Sequence, residues 1–159
     1  ISDDEGPFAP ERSGGLPCFQ LAEMATQDGV TFPEMMRRMQ RKGGLMDWFG
    51  TSDAREIERR IHEGDGKAAL VYEAMAHNLA KNIGKLAVVT RGRLDAILLT
   101  GGVARSRMLT DWVAERVSFL APVHVLPGEN EMESLALGVL RVLRGEEEAH
   151  TFAERTEAS

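Results

Sequence analysis

Cysteine is nearly missing from this chain of 159 residues, since Cys18 is the only one. No disulfide can form within the chain, and a reducing cytoplasm is the expected location. With no histidine near it in the sequence, Cys18 is expected to be a small, buried or half-buried side chain rather than a nucleophile. Apolar runs of the ~18 residues that a membrane span requires are also missing, and we expect neither a span nor a signal peptide.

Long basic runs are absent as well, and the formal net charge is −6. Arginine and lysine occur in short pairs with no alternating aromatic residues, which argues against a nucleic-acid surface. A hydrophobic content of 43% and a charged content of 28% are ordinary for a soluble globular protein of one domain. Because the chain begins at Ile1 rather than Met, we expect a fragment or a processed form.

The stretch LDAILLTGGVARSR, residues 94–107, is the centre of the pattern. Its short aliphatic run, residues 94–100, favours a strand buried on both faces. Gly101 and Gly102 then turn the chain, and a helical pattern begins at Ser106. A strand, a glycine turn and a helix can present backbone N–H groups to a ligand. A tight turn without a ligand is equally compatible with the glycines alone.

Residues 1–17 contain several prolines and glycines, which excludes a helix or a central strand. Such a segment is either a loose terminus or a functional loop laid across a site. Arg12 lies between Pro10 and a glycine pair, where the backbone is constrained.

Three helix patterns follow this segment, the first of them over residues 16–25. The second begins at Thr31, which forms a capping box with Glu34. Residues 45–50 are interpreted as an apolar elbow, and Thr51, Ser52 and Asp53 together offer the N-cap of the third helix.

The longest helix pattern covers residues 65–89 and has one apolar stripe. His77 lies on that stripe without a second metal-ligand residue three or four positions away, so it is expected to be a hydrogen-bonded core histidine.

A second short strand, residues 123–126, is followed by a turn at Gly128 and a last helix over residues 129–143 with its leucines and valines inward. The order strand, helix, strand, helix predicts two parallel neighbours whose glycine turns open at the same carboxyl edge. Two strands alone do not make a stable sheet, so we expect further strands from upstream sequence or from a partner. Residues 146–159 are expected to be an acidic, disordered tail.

Four segments together resemble the butyrate kinases, a branch of the acetate kinase group in the superfamily of acetate and sugar kinases, heat-shock ATPases and actin. They are GPFAPERSGGLP (6–17), KGGLMDWFGTSDAREIE (42–58), DAILLTGGVARS (95–106) and residues 111–147, in the family's order. The resemblance implies an α/β fold, the actin-like ATPase (ribonuclease H-like) second domain, truncated, helix-rich and with two parallel strands. Residues 1–145 would be the C-terminal part of this nucleotide-binding domain, and the missing N-terminal part of the enzyme would precede Ile1.

The activity implied by the resemblance is transfer of the γ-phosphoryl group of ATP, with Mg²⁺, to a short-chain carboxylate such as butyrate or a branched relative. The product is an acyl phosphate. The resemblance also implies a cytoplasmic homo-oligomer, and this chain would be inactive without the missing part.

The resemblance also assigns roles to individual residues. Arg12 in PERSG matches the arginine aimed at the phosphoryl group in transfer, where a planar cation neutralises developing charge. Glu131 matches an acid near the magnesium, and Arg105 stands where butyrate kinases tend to have an aromatic residue. The residues that match the adenosine-binding segments are Asp53, Ala54, Arg55, Gly101, Gly102, Val103 and Arg105.

Two other functions remain open at this point. The chain could be a nucleotide-binding module of the actin or heat-shock type that phosphorylates no metabolite, or a structural remnant that binds nothing alone. Arg12 favours the kinase, because a binding module has no evident need for it.

Overall fold

The computed structural model describes residues 6–128 and 131–149, and the chain divides into two compact units, Ile1–Gly128 and Glu129–Ser159. The elements of the first unit are α1 (Cys18–Ala25), α2 (Phe32–Gln40), α3 (Gly44–Phe49), α4 (Ala54–His62), α5 (Gly66–Ala87), β1 (Ile97–Gly101), a 3₁₀ turn (Val103–Arg105), α6 (Arg107–Val117) and β2 (Val123–Pro127). The second unit contains α7 (Glu131–Leu143). No helix in the described ranges has the length and apolarity to cross a bilayer.

The two strands pair in parallel, with Ile97 opposite Val123 and Gly101 opposite Pro127. In the described part of the chain this sheet has two strands, as the sequence predicts. Burial differs from the expectation, because Leu98 is 61% exposed while its neighbours Ile97 and Leu99 are buried. The prediction of a strand buried on both faces is therefore wrong for these residues, since β1 covers only one face with packed side chains.

The core of the first unit surrounds α5, which packs against α4 and α6. The largest fully buried side chains are Tyr72, Leu45, Ile57, Leu109, Val113 and Val117. Burying a large aliphatic or aromatic side chain stabilises a fold by about 1.5–3 kcal/mol relative to leaving it exposed. This core therefore fixes the positions of α4, α5 and α6 relative to one another.

Three predicted helix starts are confirmed by side-chain caps. The Thr31 hydroxyl accepts a hydrogen bond from the Glu34 N–H at 3.4 Å, and Asp53 accepts one from the Arg55 N–H at 3.0 Å. Ser106 accepts one from the N–H of Leu109 at 3.0 Å. Each cap pairs one of the N–H groups that a helix start otherwise leaves without an intrahelical partner.

Two predicted core side chains are exposed instead. Cys18 lies on α1, a helix with no buried residue, so the expected burial of this thiol is wrong. His77 is also exposed, because the buried stripe of α5 runs through Tyr72, Ala76 and Ala80 and leaves position 77 on another face. Helical periodicity located the apolar stripe but did not fix its edges.

Two further expectations about helices also need correction. Residues 45–50 are not a simple elbow, because Gly44–Phe49 form the short helix α3 with Leu45 fully buried. In α7 the apolar residues expected to face inward are exposed, with Leu135 at 65% and Leu143 at 76%. Among the described residues of its own unit, α7 has no second helix or strand to pack against.

Candidate functional site

Backbone hydrogen bonds hold the loop that contains Arg12. The Ala9 N–H donates to the Arg12 carbonyl at 2.9 Å, and the Gly43 N–H donates to the Glu11 carbonyl at 3.0 Å. The Ser52 hydroxyl donates to the Glu11 carboxylate at 3.0 Å. The Arg12 side chain itself is exposed. The loop is thus an ordered support that presents an exposed guanidinium group.

Two glycines at the start of α3 make room for this loop. A Cβ on Gly44 would lie 1.7 Å from the Ala9 carbonyl oxygen, and Gly44 has a φ of +61°, a conformation that other residues rarely adopt. A Cβ on Gly43 would lie 2.4 Å from the Ser13 nitrogen. The glycine pair of KGG and the PERSG loop are therefore parts of one arrangement, although they are about 30 residues apart in the sequence.

Asp53, Ala54 and Arg55 form the start of α4. The Arg55 guanidinium group donates to the Asp53 carboxylate at 2.7 Å, and the Arg55 side chain is 90% exposed. This hydrogen bond, with a second from the Arg55 backbone, holds the pKa of Asp53 below its ordinary value. Asp53 thus has a structural task as an N-cap, and the exposed side of the same helix start remains accessible to a ligand.

The two glycines after β1 differ in conformation. Gly101 has a φ of +84°, which favours glycine, whereas Gly102 is exposed and has an ordinary helical φ of −62°. The N–H of Gly101 donates to the Gly128 carbonyl at 3.2 Å, and the Gly128 N–H donates back at 3.3 Å. The prediction that both glycine turns lie at one carboxyl edge of the sheet is confirmed.

Val103 and Arg105 lie in the 3₁₀ turn that follows this edge. Val103 is half-buried and Arg105 is exposed. The sequence pattern did not predict this turn, because three residues are too few to show a helical period.

A hydrogen-bonded cluster that the sequence pattern did not reveal joins α4, α5 and the start of α6. The Ser106 hydroxyl donates to the Glu58 carboxylate. The Tyr72 hydroxyl donates to Ser106 Oγ at 2.9 Å and lies 3.3 Å from Glu58 Oε1. Burial raises the pKa of Tyr72 above its ordinary value, so its phenol keeps the proton that it donates. We call these three residues the Glu58 cluster.

The helix α4 contacts both predicted parts of the site. Ser52, just before the helix, binds the Arg12 loop through Glu11, and Glu58 binds Ser106, directly after the turn at residues 101–105. At about 1.5 Å per residue, Asp53 and Glu58 are separated by about 7.5 Å along the helix axis. The predicted phosphoryl-binding loop and the predicted adenosine-binding turn are thereby connected through one short, packed helix.

A metal site is not assembled by the described residues. No group of three or more His, Cys, Asp or Glu side chains within them is arranged to hold a metal ion. Glu131, the predicted magnesium residue, begins α7, and its side chain lies outside the described part of the structure. Its role stays a prediction.

Two curated relatives match most of this chain. A protein named probable butyrate kinase 2, from Caldanaerobacter subterraneus subsp. tengcongensis, is 48% identical over 142 residues, which is 89% of this chain and 40% of that protein. Butyrate kinase 2 from Clostridium acetobutylicum is 43% identical over 150 residues, which is 94% of this chain and 42% of that protein. The chain thus spans about two-fifths of the length of these relatives.

A solved structure and a family model agree with this match. The acetate kinase of Porphyromonas gingivalis superposes with a TM-score of 0.72 at 22% identity, covering 86% of this chain and 41% of that one. The likeness shows the actin-like ATPase fold that the sequence predicts, represented here by part of a domain. The model of the acetokinase family matches residues 5–132. Because this match covers most of the sequence, the chain belongs to the acetokinase family.

Proposed function

We propose that this chain provides the C-terminal, nucleotide-binding part of a cytoplasmic kinase that phosphorylates a short-chain carboxylate, butyrate or a branched relative. The observation that supports it most is the connection through α4 between the Arg12 loop and the glycine turn. A kinase must hold its charge-neutralising group and its nucleoside at a fixed spacing, because phosphoryl transfer depends mainly on positioning and electrostatics. The acetokinase family model matches residues 5–132, which include both parts, and the two butyrate kinase relatives match 89% and 94% of this chain.

In this proposal the Arg12 loop binds the phosphoryl group, and the glycine turn and the start of α4 bind the nucleoside. The exposed Arg12 guanidinium group binds the phosphoryl oxygens, where a planar cation matches their geometry and neutralises charge. The backbone at Gly101 and Gly102 approaches the nucleoside, and Val103, Arg105 and the start of α4 (Asp53, Ala54, Arg55) border it. Bound ATP with Mg²⁺ supplies the phosphoryl group, and Glu131 is the residue proposed near the metal.

The reaction joins a carboxylate oxygen to the γ-phosphorus and breaks the bond from that phosphorus to the β-phosphate oxygen, which releases ADP. Residues 1–145 belong to the nucleotide-binding part, and the acidic residues 146–159 form a tail outside it. We also propose that turnover requires the rest of the kinase, which corresponds to the other three-fifths of the relatives' length. We further propose that the kinase is a homo-oligomer.

A chimera tests this function. The chain replaces the matched segment of the Caldanaerobacter relative, and acyl phosphate is trapped as its hydroxamate with ATP, Mg²⁺ and acetate, propionate, butyrate or isobutyrate. We expect hydroxamate from the chimera, most with butyrate or isobutyrate, and none from this chain alone.

The unmodified relative serves as the positive control, and circular dichroism verifies that the chimera is folded. A folded chimera that phosphorylates none of these acids would contradict the proposed activity. Hydroxamate formed by the chain alone would contradict the requirement for the remaining part.

A further inference from the structure

The Glu58 cluster satisfies its polar groups almost completely within itself. Tyr72 is fully buried and Ser106 is 8% exposed, and their hydroxyl groups converge on the half-buried carboxylate of Glu58. Ser106 also accepts the hydrogen bond from the Leu109 N–H that caps α6. No buried side-chain nitrogen or oxygen in the described residues lacks a hydrogen-bond partner. Removing the carboxylate would leave the buried Ser106 hydroxyl group without its acceptor, and Tyr72 would lose its contact with Glu58.

The Glu58 cluster lies next to the residues that are proposed to bind the nucleotide. Ser106 directly follows Arg105, so the cluster is one residue from the turn at residues 101–105. On α4, Glu58 is less than two turns from the Asp53–Arg55 segment. Glu58 and Ser106 are 48 residues apart in the sequence, and the hydrogen bond between their side chains joins α4 to the residue that follows the turn.

We infer that Glu58 is a positioning residue for the nucleotide, which fixes the glycine turn against the start of α4 by binding the Ser106 hydroxyl group. This inference rests on the proposed function and adds to it a residue that touches neither substrate. Its loss shifts the turn relative to α4 and weakens nucleotide binding, while the Arg12 loop keeps its own hydrogen bonds to Gly43 and Ser52.

The chimera described above provides the test, with Glu58→Ala compared with Glu56→Ala. Glu56 lies on the same helix, but its carboxylate binds Arg59 and Arg60 of that helix rather than the turn, which makes it a matched control. We expect Glu58→Ala to raise KM for ATP about tenfold, which corresponds to 1.4 kcal/mol. KM for the carboxylate and kcat at saturating ATP should change less than about twofold. Glu56→Ala should leave all three constants near those of the unmodified chimera.

Two conservative variants separate positioning from folding. Glu58→Gln keeps an oxygen acceptor for Ser106 and should restore KM for ATP to within about threefold of the unmodified chimera. Tyr72→Phe keeps the packed ring and removes one donor, so a smaller rise in KM for ATP is expected. If Glu58→Ala does not fold, KM for ATP of Tyr72→Phe tests whether the cluster positions the nucleotide.

The outcomes are distinct for the two proposals. A lower Tm for Glu58→Ala with unchanged KM for ATP would show that the cluster contributes only to stability, and it would overturn the inference. If Glu58→Ala does not fold, an unchanged KM for ATP in Tyr72→Phe would overturn the inference instead. An active chimera with these results leaves the proposed function standing. A folded chimera without activity overturns the proposed function and the inference together.

Discussion

At the scale of single residues, the Arg12 loop and the glycine turn are expected to have opposite kinetic signatures. The loop that contains Arg12 is supported by backbone hydrogen bonds on both sides of that residue. Gly102 is exposed and has a φ of −62°, a backbone conformation that other residues adopt readily.

Arg12→Ala in the active chimera should lower kcat by about 10³-fold and change KM for ATP far less. The guanidinium group interacts most strongly while the phosphoryl group is in transfer, so its loss is felt in the transition state. Steady-state kinetics with both substrates varied measure the two constants, and Arg12→Lys is the control that keeps a charge without the planar geometry. An effect confined to KM for ATP would show that Arg12 is not catalytic.

Gly102→Val should raise KM for ATP and disturb kcat less at saturation. A branched side chain at this exposed position occupies space that the nucleoside is proposed to use, without straining the backbone. Gly101→Val differs in kind, because a φ of +84° is unfavourable for valine and its effect should include a lower Tm. An unchanged KM for ATP in Gly102→Val would place the nucleoside elsewhere.

Residue-scale prediction from the sequence succeeded where the cause is local. The helices that Thr31, Asp53 and Ser106 cap begin where the sequence predicts, because a helix start is determined by residues within one turn. The predicted burial of Cys18 and His77 was wrong, because the exposure of a side chain depends on which elements pack near it. The individual ligand roles of the predicted site residues stay predictions.

At the scale of elements, the loop that contains Arg12 and the helix α3 form one assembly, with the glycine pair between them. The Met46 N–H donates to the Pro10 carbonyl at 2.9 Å, which adds a second hydrogen bond, besides that from Gly43 to Glu11, between the loop and the start of α3. The position of Arg12 therefore depends on backbone that follows it by more than 30 residues.

Gly44→Ala should destabilise the chimera by about 3 kcal/mol or more, since it combines unfavourable φ with a clash against the Ala9 carbonyl. Gly50 provides the control, because it has a similar φ of +70° at the other end of α3 and open space around its Cβ. Gly50→Ala should therefore lower the free energy of unfolding by only about 1 kcal/mol.

Urea unfolding of both variants, with kcat measured on the folded protein, decides this comparison. Gly44→Ala should also lower kcat, because the displaced loop moves Arg12. Equal losses of stability for the two variants would contradict the close packing of the loop on α3.

Elements were predicted best where a pattern is continuous. The aliphatic run before Gly101 identified β1, and the apolar period identified α5, whereas α3 was missed because six residues span less than two turns. The Glu58 cluster was missed for another reason. Its members come from three helices, and nothing in the local sequence of Glu58 shows that a serine 48 residues later donates to it.

At the scale of the whole molecule, the described sheet has only two strands, and apolar side chains remain exposed on both of them. Leu98 on β1 is 61% exposed and Leu126 on β2 is 56% exposed. The fold class was predictable because four segments of the sequence resemble the butyrate kinases, and that resemblance implies the fold. The exposure of apolar side chains on these strands was predictable, because two strands alone rarely form a stable sheet.

This chain alone should self-associate or melt over a broad range, because a strand edge without a partner pairs with other chains. Sedimentation velocity at several concentrations measures the association, and thermal denaturation followed by circular dichroism measures cooperativity. Leu98→Lys places a charge on the exposed side of β1 and should reduce association without affecting the buried face. A concentration-independent monomer with a sharp melt would contradict this prediction.

The contact between Tyr72 and Trp112 gives the molecule a fluorescent reporter of its own. Their rings meet edge to face with centroids 6.0 Å apart, and Tyr72 is the only tyrosine in the chain. Excitation energy absorbed by this tyrosine is expected to pass to Trp112 while the Glu58 cluster is intact. Tyrosine emission distinct from that of tryptophan would therefore appear when α5 separates from α6. Its intensity would report this separation without any attached label.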